Sequence, residues 1–275
     1  MIKNSISTWI KGGLFVFGIV SWVSVSAISQ SFNGIENYPG KLNIKNVNGL
    51  GKNISTDYFA GSMVFSYPFD FPVGSRGLTP RLSLSYNSNN SDAFSPYGYG
   101  FSLSIARIQR NAKKGTSELY NGNEYVFNGN DLILDGSGTN IYRSKDASDM
   151  SKYILSGSTW IIMTDIGGRM IYGGTSTGRI VHPDNASKIY AWLLESEEDA
   201  FGHKINYFYS QNGGQPYLSK IEYGYTFPTN LPTYTIQFSY VPKSKSLSSY
   251  RTQFEISTKQ LLSAVKLFAN GQEVR

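Results

Sequence analysis

Residues 190–209 read Tyr190-Ala-Trp-Leu-Leu-Glu-Ser-Glu197, Glu198-Asp-Ala-Phe-Gly202 and His203-Lys-Ile-Asn-Tyr-Phe-Tyr209. Two runs rich in apolar and aromatic residues therefore flank a short segment that contains Asp and Gly. Aromatic side chains suit the half-buried faces of a sheet, and Asp and Gly suit tight turns. The stretch predicts a β-hairpin with strands over 190–197 and 203–209.

The second strand of this hairpin has a spacing that recurs downstream. Alternate positions carry Ile205, Tyr207 and Tyr209, then Ile221, Tyr223 and Tyr225, then Ile236, Phe238 and Tyr240. The steps of 16 and 15 residues between these elements correspond to one strand plus one turn, laid side by side. A true internal repeat and an ordinary antiparallel meander both fit this spacing.

Further strand and turn signals lie on both sides of that region. Two Asn-Gly steps, Asn121-Gly122 and Asn128-Gly129, predict a three-stranded meander over 118–134, because Asn-Gly tolerates positive φ at both central turn positions. Residues 165–168 predict a hairpin between 159–164 and 169–172, and Asn270-Gly271 predicts a turn. The segment 257–268 fits either a helix or a strand.

Leu82, Leu84 and Tyr86 alternate with Ser83, Ser85 and Asn87. This period of two predicts a strand with one buried face and one wet face. Together the patterns predict an all-β fold, an antiparallel meander of short strands and hairpins. The expected core consists of Leu82, Leu84, Tyr86, Trp160, Ile162, Trp192, Leu194, Ile205, Tyr207, Tyr223, Ile236 and Phe238.

The composition fits this fold and excludes several classes of function. The chain has 20 Tyr, 16 Phe and 28 Gly but no Cys, which excludes disulfides and thiolate metal sites. Its net charge of +6 is spread along the chain, and Lys113-Lys114 is the one tight basic doublet after the N-terminal leader. We therefore expect no nucleic-acid partner, because phosphate binding requires a concentrated basic face.

The first 27 residues have the pattern of a signal peptide. Lys3 and Lys11 precede an apolar run over residues 14–25. Val25-Ser-Ala27 then supplies small residues at the cleavage position. An uncleaved anchor is the alternative. Either way, the chain is expected to cross the inner membrane and to be secreted, periplasmic or on the cell surface. Residues 28–57 are predicted to be a polar linker, and residues 58–275 a β domain whose strands begin near Phe59.

Side chains that could carry chemistry are few. His182 and His203 are distant in sequence and lie beside turn residues, so we expect them to be surface histidines rather than metal ligands. The acidic cluster of Glu195, Glu197 and Glu198-Asp199 is predicted to be a solvated strand end that discourages edge pairing. We assign no catalytic, cofactor-binding or metal-binding residue and no cofactor, and we predict that the chain is not an enzyme.

Several blocks resemble a known family. They are Phe59-Ala-Gly-Ser-Met-Val-Phe-Ser-Tyr-Pro-Phe69, Pro72-Val-Gly-Ser-Arg-Gly-Leu-Thr-Pro-Arg-Leu-Ser-Leu-Ser-Tyr-Asn-Ser88, Tyr97-Gly-Tyr-Gly-Phe-Ser-Leu103, Ile108-Gln-Arg110, Trp192-Leu-Leu194 and Asp199-Ala-Phe-Gly-His-Lys-Ile-Asn-Tyr-Phe-Tyr209. These blocks resemble the SpvB-type N-terminal domain, which also opens the B component of insecticidal toxin complexes. The tyrosine element is shared with Rhs/YD-repeat proteins. Phe101 stands where that family usually has Trp, and His203 replaces a common Asn.

The resemblance implies a structural role. In that family the chain winds into a hollow β shell around a toxic segment, and its partners are other parts of the same toxin or a partner chain, such as a C component or an Rhs-type effector. Because the family continues with further repeats, the resemblance also implies that this chain is a fragment, a truncated gene product or one partner of a split assembly. Three alternatives stay open: a secreted carbohydrate- or surface-binding module, an outer-membrane barrel, and a hydrolase that uses the acidic cluster.

Overall fold

The structure, a computed structural model, describes residues 54–57, 60–90, 95–226 and 230–274. The predicted signal peptide and nearly all of the predicted linker lie outside these residues. The described part of the chain contains strands and two single-turn 3-10 helices, Ser75–Gly77 and Thr116–Glu118. The prediction of an all-β antiparallel fold is confirmed.

The smaller of two sheets has four antiparallel strands in sequence order. They are β1 (Ile54–Asp57), β2 (Ser62–Pro68), β3 (Ser83–Asn87) and β4 (Phe101–Leu103). The last four residues of the segment predicted to be linker, residues 54–57, thus form a strand. The predicted wet and buried faces of β3 are wrong, because all five of its residues are half-buried. Ser83 and Ser85 are covered by Ser104 and Ser66, whose hydroxyls lie 2.7 Å and 3.4 Å from the Ser83 nitrogen and the Ser85 hydroxyl.

The larger sheet has fourteen strands. They are β5 (Arg107–Arg110), β6 (Tyr125–Phe127), β7 (Asn130–Leu134), β8 (Ile141–Ser144), β9 (Lys152–Ser156), β10 (Thr159–Met163), β11 (Arg169–Tyr172), β12 (Arg179–His182), β13 (Asn185–Glu198), β14 (Lys204–Asn212), β15 (Gln215–Thr226), β16 (Leu231–Ser249), β17 (Ile256–Ala269) and β18 (Gln272–Glu273). The segment 257–268, which fitted helix or strand, lies in β17 and is a strand.

Strand β13 closes part of this sheet on itself. Strands β5 to β11 pair consecutively, and β13 then pairs with β11 on one side and with β5 on the other. Trp192 lies opposite Ile108 of β5, while Leu194 lies opposite Tyr172 of β11. The eight strands β5 to β11 and β13 therefore form a closed barrel, and β14 to β18 continue from β13 as a meander.

The barrel interior is filled largely by aromatic rings. Tyr125 packs edge-on against Trp160 and Trp192, with ring centroids 4.9 Å and 5.7 Å away, and Trp160 also contacts Tyr142 at 5.1 Å. The indole N–H of Trp192 donates a hydrogen bond of 2.8 Å to the Ser158 carbonyl. Edge-to-face pairs of this kind stabilise a core beyond their buried area. The predicted core is confirmed except at Leu84 and Tyr86, which are half-buried.

Turn chemistry separates correct from incorrect hairpin predictions. Asn128 and Gly129 have φ values of 48° and 86° and join β6 to β7. Asn121 instead belongs to the turn after the second 3-10 helix, where its N–H donates to the Glu118 carbonyl at 3.1 Å. The predicted meander over 118–134 is therefore wrong in its first strand. The strand that pairs with β6 is β5, and residues 111–124 form the long connection between these two strands.

The other predicted hairpins are confirmed. Strands β10 and β11 pair around residues 165–168, β13 and β14 pair around 199–202, and Asn270-Gly271 joins β17 to β18. The three Ile-x-aromatic elements lie on β14, β15 and β16, where Ile221 is opposite both Tyr207 and Ile236. They are laid side by side, as their spacing predicted.

Replacing Trp192 with Ala should destabilise the domain by about 3–5 kcal/mol, because the substitution leaves a cavity among the aromatic rings. Chemical denaturation would measure this loss. Ile166→Ala, at a hairpin tip where the side chain is 82% exposed, is the matched control and should change stability by less than about 0.5 kcal/mol. An unchanged midpoint for Trp192→Ala would contradict the assignment of Trp192 to the core.

Gly173 and Gly157 provide a second matched pair, since their φ values are 62° and 60°. A Cβ on Gly173 would lie 2.4 Å from a Trp192 ring carbon, whereas a Cβ on Gly157 meets nothing within 4 Å. Both Ala variants have the backbone cost of about 1–2 kcal/mol, and Gly173→Ala should lose roughly a further 1–3 kcal/mol through overpacking. Equal melting temperatures for the two variants would contradict the close approach of Gly173 to Trp192.

Candidate functional site

A cavity of about 420 Å³ lies at one end of the barrel. Its wall includes the end of β6, the start of β9, the end of β10, the start of β11 and the end of β13, which all meet at this end because neighbouring strands are antiparallel. Residues 81–82 and 104–106 also line the cavity. The mouth of a barrel is a common place for a ligand pocket.

One side of this cavity is aromatic and apolar. The Phe127 ring lies 5.4 Å from the Tyr153 ring and 5.8 Å from the Tyr172 ring, both edge-on. Met170 and Leu194 are further apolar residues of the lining. The Tyr172 hydroxyl faces the sulfur of Met170 at 3.7 Å, a weak acceptor, so the hydroxyl is available to a stronger one.

A β-bulge in β13 decides which acidic side chain faces the cavity. Ile171 pairs with Ser196 but Tyr172 pairs with Leu194, so Glu195 is the extra residue. A bulge of this kind re-aims the side chains that follow it. Leu194 and Glu197 consequently both line the cavity, although an uninterrupted strand would place them on opposite faces.

Glu197 is held by a tyrosine inside the cavity. The Tyr207 hydroxyl donates a hydrogen bond of 2.7 Å to the Glu197 carboxylate. Burial raises the pKa of Glu197 above its ordinary value, while the Tyr207 hydrogen bond and the positive charge of Arg81 partly oppose the rise. Burial, together with the Glu197 charge, raises the pKa of Tyr207. The prediction of a solvated strand end is therefore wrong at Glu197.

A second tyrosine–carboxylate pair lies in the same cavity. The Tyr153 hydroxyl donates a short hydrogen bond to Asp149, whose other oxygen accepts from the Ser151 N–H at 3.0 Å. Although burial acts in the opposite direction, the hydrogen bonds from Tyr153 and Ser151 lower the pKa of Asp149. Asp149 is thus ionised near neutral pH. The sequence analysis missed this residue because no local pattern connects it with residue 197.

The remaining acidic and histidine candidates do not join the cavity. Glu195 accepts hydrogen bonds from the Thr175 N–H at 2.9 Å and from the Thr175 hydroxyl, which fixes the 173–178 connection. Asp199 lies 2.8 Å from the His203 ring nitrogen and caps its own turn. The His182 ring packs against Phe254 at 5.2 Å.

In the part of the chain that the structure describes, no three His, Asp or Glu side chains are grouped as metal ligands would be. Among those same residues, no helix has the length and apolar character needed to cross a membrane.

Comparison with known sequences identifies related proteins. The family model described as Salmonella virulence plasmid 65kDa B protein, SpvB, matches residues 58–156 and 150–220. Two curated proteins, each named Mono(ADP-ribosyl)transferase SpvB, come from Salmonella choleraesuis (strain SC-B67) and Salmonella enteritidis. Each is 23% identical to this chain, with 56% of this chain and 33% of the relative covered. The chain thus spans about one third of the length of these relatives.

Solved structures share the fold. The N-terminal domain of effector protein SpvB from Salmonella typhimurium strain LT2 has a TM-score of 0.65 at 21% identity, covering 74% of this chain and 87% of that domain. The complex TcdB2-TccC3 gives a TM-score of 0.68 at 21% identity, covering 79% and 14%. The Photorhabdus luminescens Tc holotoxin pore gives 0.66 at 20% identity, covering 76% and 13%.

Glu197→Gln should change how stability depends on pH. Because burial raises the pKa of Glu197 above 4.5 in the folded state, the folded protein holds this proton more tightly than the unfolded chain does. Ionisation of Glu197 therefore costs stability as the pH rises above 4.5, and the cost is complete above the folded pKa. Gln retains an oxygen for the Tyr207 hydroxyl but does not ionise.

The stability of Glu197→Gln minus that of the natural protein should therefore increase from about pH 4 to pH 8. Urea unfolding at a series of pH values measures this difference, in which the other titrating groups cancel. A difference that stays constant or falls with rising pH would contradict the placement of Glu197 in the cavity wall.

Proposed function

The chain belongs to the family of the Salmonella virulence plasmid 65kDa B protein, SpvB, and from this we propose that it is a non-catalytic structural part of an exported bacterial toxin or virulence protein. In this role it forms part of a β wall that encloses or presents a toxic segment. The wall is assembled with other parts of the same toxin or with a partner toxin chain.

The observation that carries this proposal is the construction of the barrel and its extension. The barrel places interlocked aromatic rings inside, and β13 to β17 run for 9 to 19 residues each. Typical strands have about 5–6 residues. Long paired strands that extend from a packed barrel form a broad sheet surface. Such a surface suits a structural wall.

The ADP-ribosyltransferase activity in the names of the curated relatives is not part of this proposal. The chain covers one third of those relatives, and the solved structure that it covers almost entirely is an N-terminal domain. We place the toxic activity in a segment outside the matched region. Association with a partner toxin chain is supported by the fold neighbours, which include the complex TcdB2-TccC3.

Variants within the assembled toxin separate a wall from an enzyme. In toxin isolated from the producing cells, Trp192→Ala should prevent assembly, because the barrel loses an aromatic ring that contacts Tyr125 and Trp160. Glu197→Gln, which removes the best-placed carboxylate, should leave assembly and toxicity within about twofold of the natural toxin. Native mass spectrometry measures assembly, and killing of target cells measures toxicity.

A Glu197→Gln toxin that assembles normally but loses toxicity by about 100-fold or more would contradict the structural role, because losses of that size follow removal of a catalytic group. Normal assembly and toxicity of the Trp192→Ala toxin would also contradict the structural role, because that role requires an intact barrel.

A further inference from the structure

We propose that the cavity at the barrel mouth binds a small organic cation, an amine or quaternary ammonium group on a compact body. This inference concerns the cavity alone and does not depend on the proposed structural role.

The size and position of the cavity suit one small ligand. Its volume is about 420 Å³, and small-molecule sites fall in the range of about 300–1,000 Å³. An eight-stranded barrel has room for packed side chains or for one small ligand. Beyond the mouth, the rings of Tyr125, Tyr142, Trp160 and Trp192 pack against one another inside the barrel.

The charged groups of the lining favour a cation. Asp149, Glu197 and Arg81 are the charged side chains that line the cavity. Arg81 is exposed, and the ion pairs among the described residues include none to Glu197 or Asp149. Glu197 accepts a hydrogen bond from Tyr207, and Asp149 accepts from Tyr153 and Ser151. Because a carboxylate offers about four acceptor positions, both retain capacity for a further donor. An ammonium group would occupy these positions and balance the charge.

The aromatic side of the cavity fits the same ligand. Phe127, Tyr153 and Tyr172 line the cavity together with Met170, and the Phe127 ring contacts each of the two tyrosine rings edge-on. Aromatic rings attract cations through their electron-rich faces, and groups of such rings recognise quaternary ammonium compounds. A lining that combines carboxylates with aromatic rings therefore matches both the charge and the methyl or methylene groups of such a cation.

Binding should be coupled to ionisation of Glu197. The titratable or charged groups that face Glu197 are Arg81, Tyr172 and Tyr207, with Asp149 in the same cavity. A bound ammonium group would stabilise the ionised carboxylate and reverse part of the effect of burial. Affinity should therefore increase as the pH rises through the range in which Glu197 ionises.

The test uses the full chain and two probes of the same shape, choline and its uncharged analogue 3,3-dimethyl-1-butanol. Isothermal titration calorimetry should show choline binding at least about 10-fold more tightly than the neutral analogue, since a cation–π contact and a carboxylate together contribute about 1.4 kcal/mol or more. Equal affinity for the two probes, or no binding of choline up to about 10 mM, would overturn the proposal.

Variants locate the site. Glu197→Gln should weaken choline binding by about 10-fold or more, whereas Glu195→Gln, two residues away on the same strand but outside the cavity lining, should leave it unchanged. Equal losses in the two variants would overturn the assignment.

As a readout that does not require a variant, the methyl resonance of Met170 should shift on addition of choline. A shift confined to methionines outside the cavity, such as Met63, would also overturn it.

Discussion

The fold depends on the pairing of one strand with two neighbours. Strand β13 meets β11 through Leu194 and β5 through Trp192, and this double pairing turns a meander into a closed barrel. Closure removes two sheet edges that would otherwise be open to other chains. It also places the Trp192 ring against Tyr125 and Trp160, so the hydrogen-bonded closure and the aromatic core stabilise each other.

The same strand continues beyond the barrel and connects it to the rest of the domain. After the bulge at Glu195, residues 196–198 pair with both β11 and β14, and β14 begins the long meander. The bulge therefore has two consequences. It lets β13 bend from the barrel into the extension, and it turns Glu197 toward the cavity. The ligand-binding hypothesis depends on this irregularity, whereas the structural role is argued from the barrel and its long strands. Glu197→Gln serves both tests, with choline affinity as the readout in one and assembly and toxicity as the readouts in the other.

Sequence patterns predicted the elements well where the local chemistry is decisive. Asn128-Gly129 and Asn270-Gly271 supply positive φ at both turn positions, and the turns form there. Asn121-Gly122 is the same dipeptide but lies in a connection fixed by Arg110, whose guanidinium donates to the Leu119 and Gly122 carbonyls. A turn prediction based on neighbouring residues does not include such a contact.

The candidate site was harder to predict for a related reason. Residue alternation places Glu195 and Glu197 on one face, and a single bulged residue separates them. This bulge arises from the pairing of two strands that are distant in sequence, β11 and β13. The local sequence therefore does not predict it. Asp149 is likewise brought to the same cavity as Glu197 only by barrel closure, whereas Tyr207 reaches Glu197 within the β13–β14 hairpin. The family blocks predicted the fold but gave no indication of the cavity.

Closure of the barrel by β13 is the central claim, and nuclear Overhauser contacts between backbone protons test it most directly. The structure predicts contacts from Trp192 to Ile108 and from Leu194 to Tyr172 in the same folded molecule, because paired antiparallel residues have Cα atoms about 4.5–5.5 Å apart. Observation of both sets would confirm the closed barrel. The presence of one set without the other would show an open sheet and contradict the account.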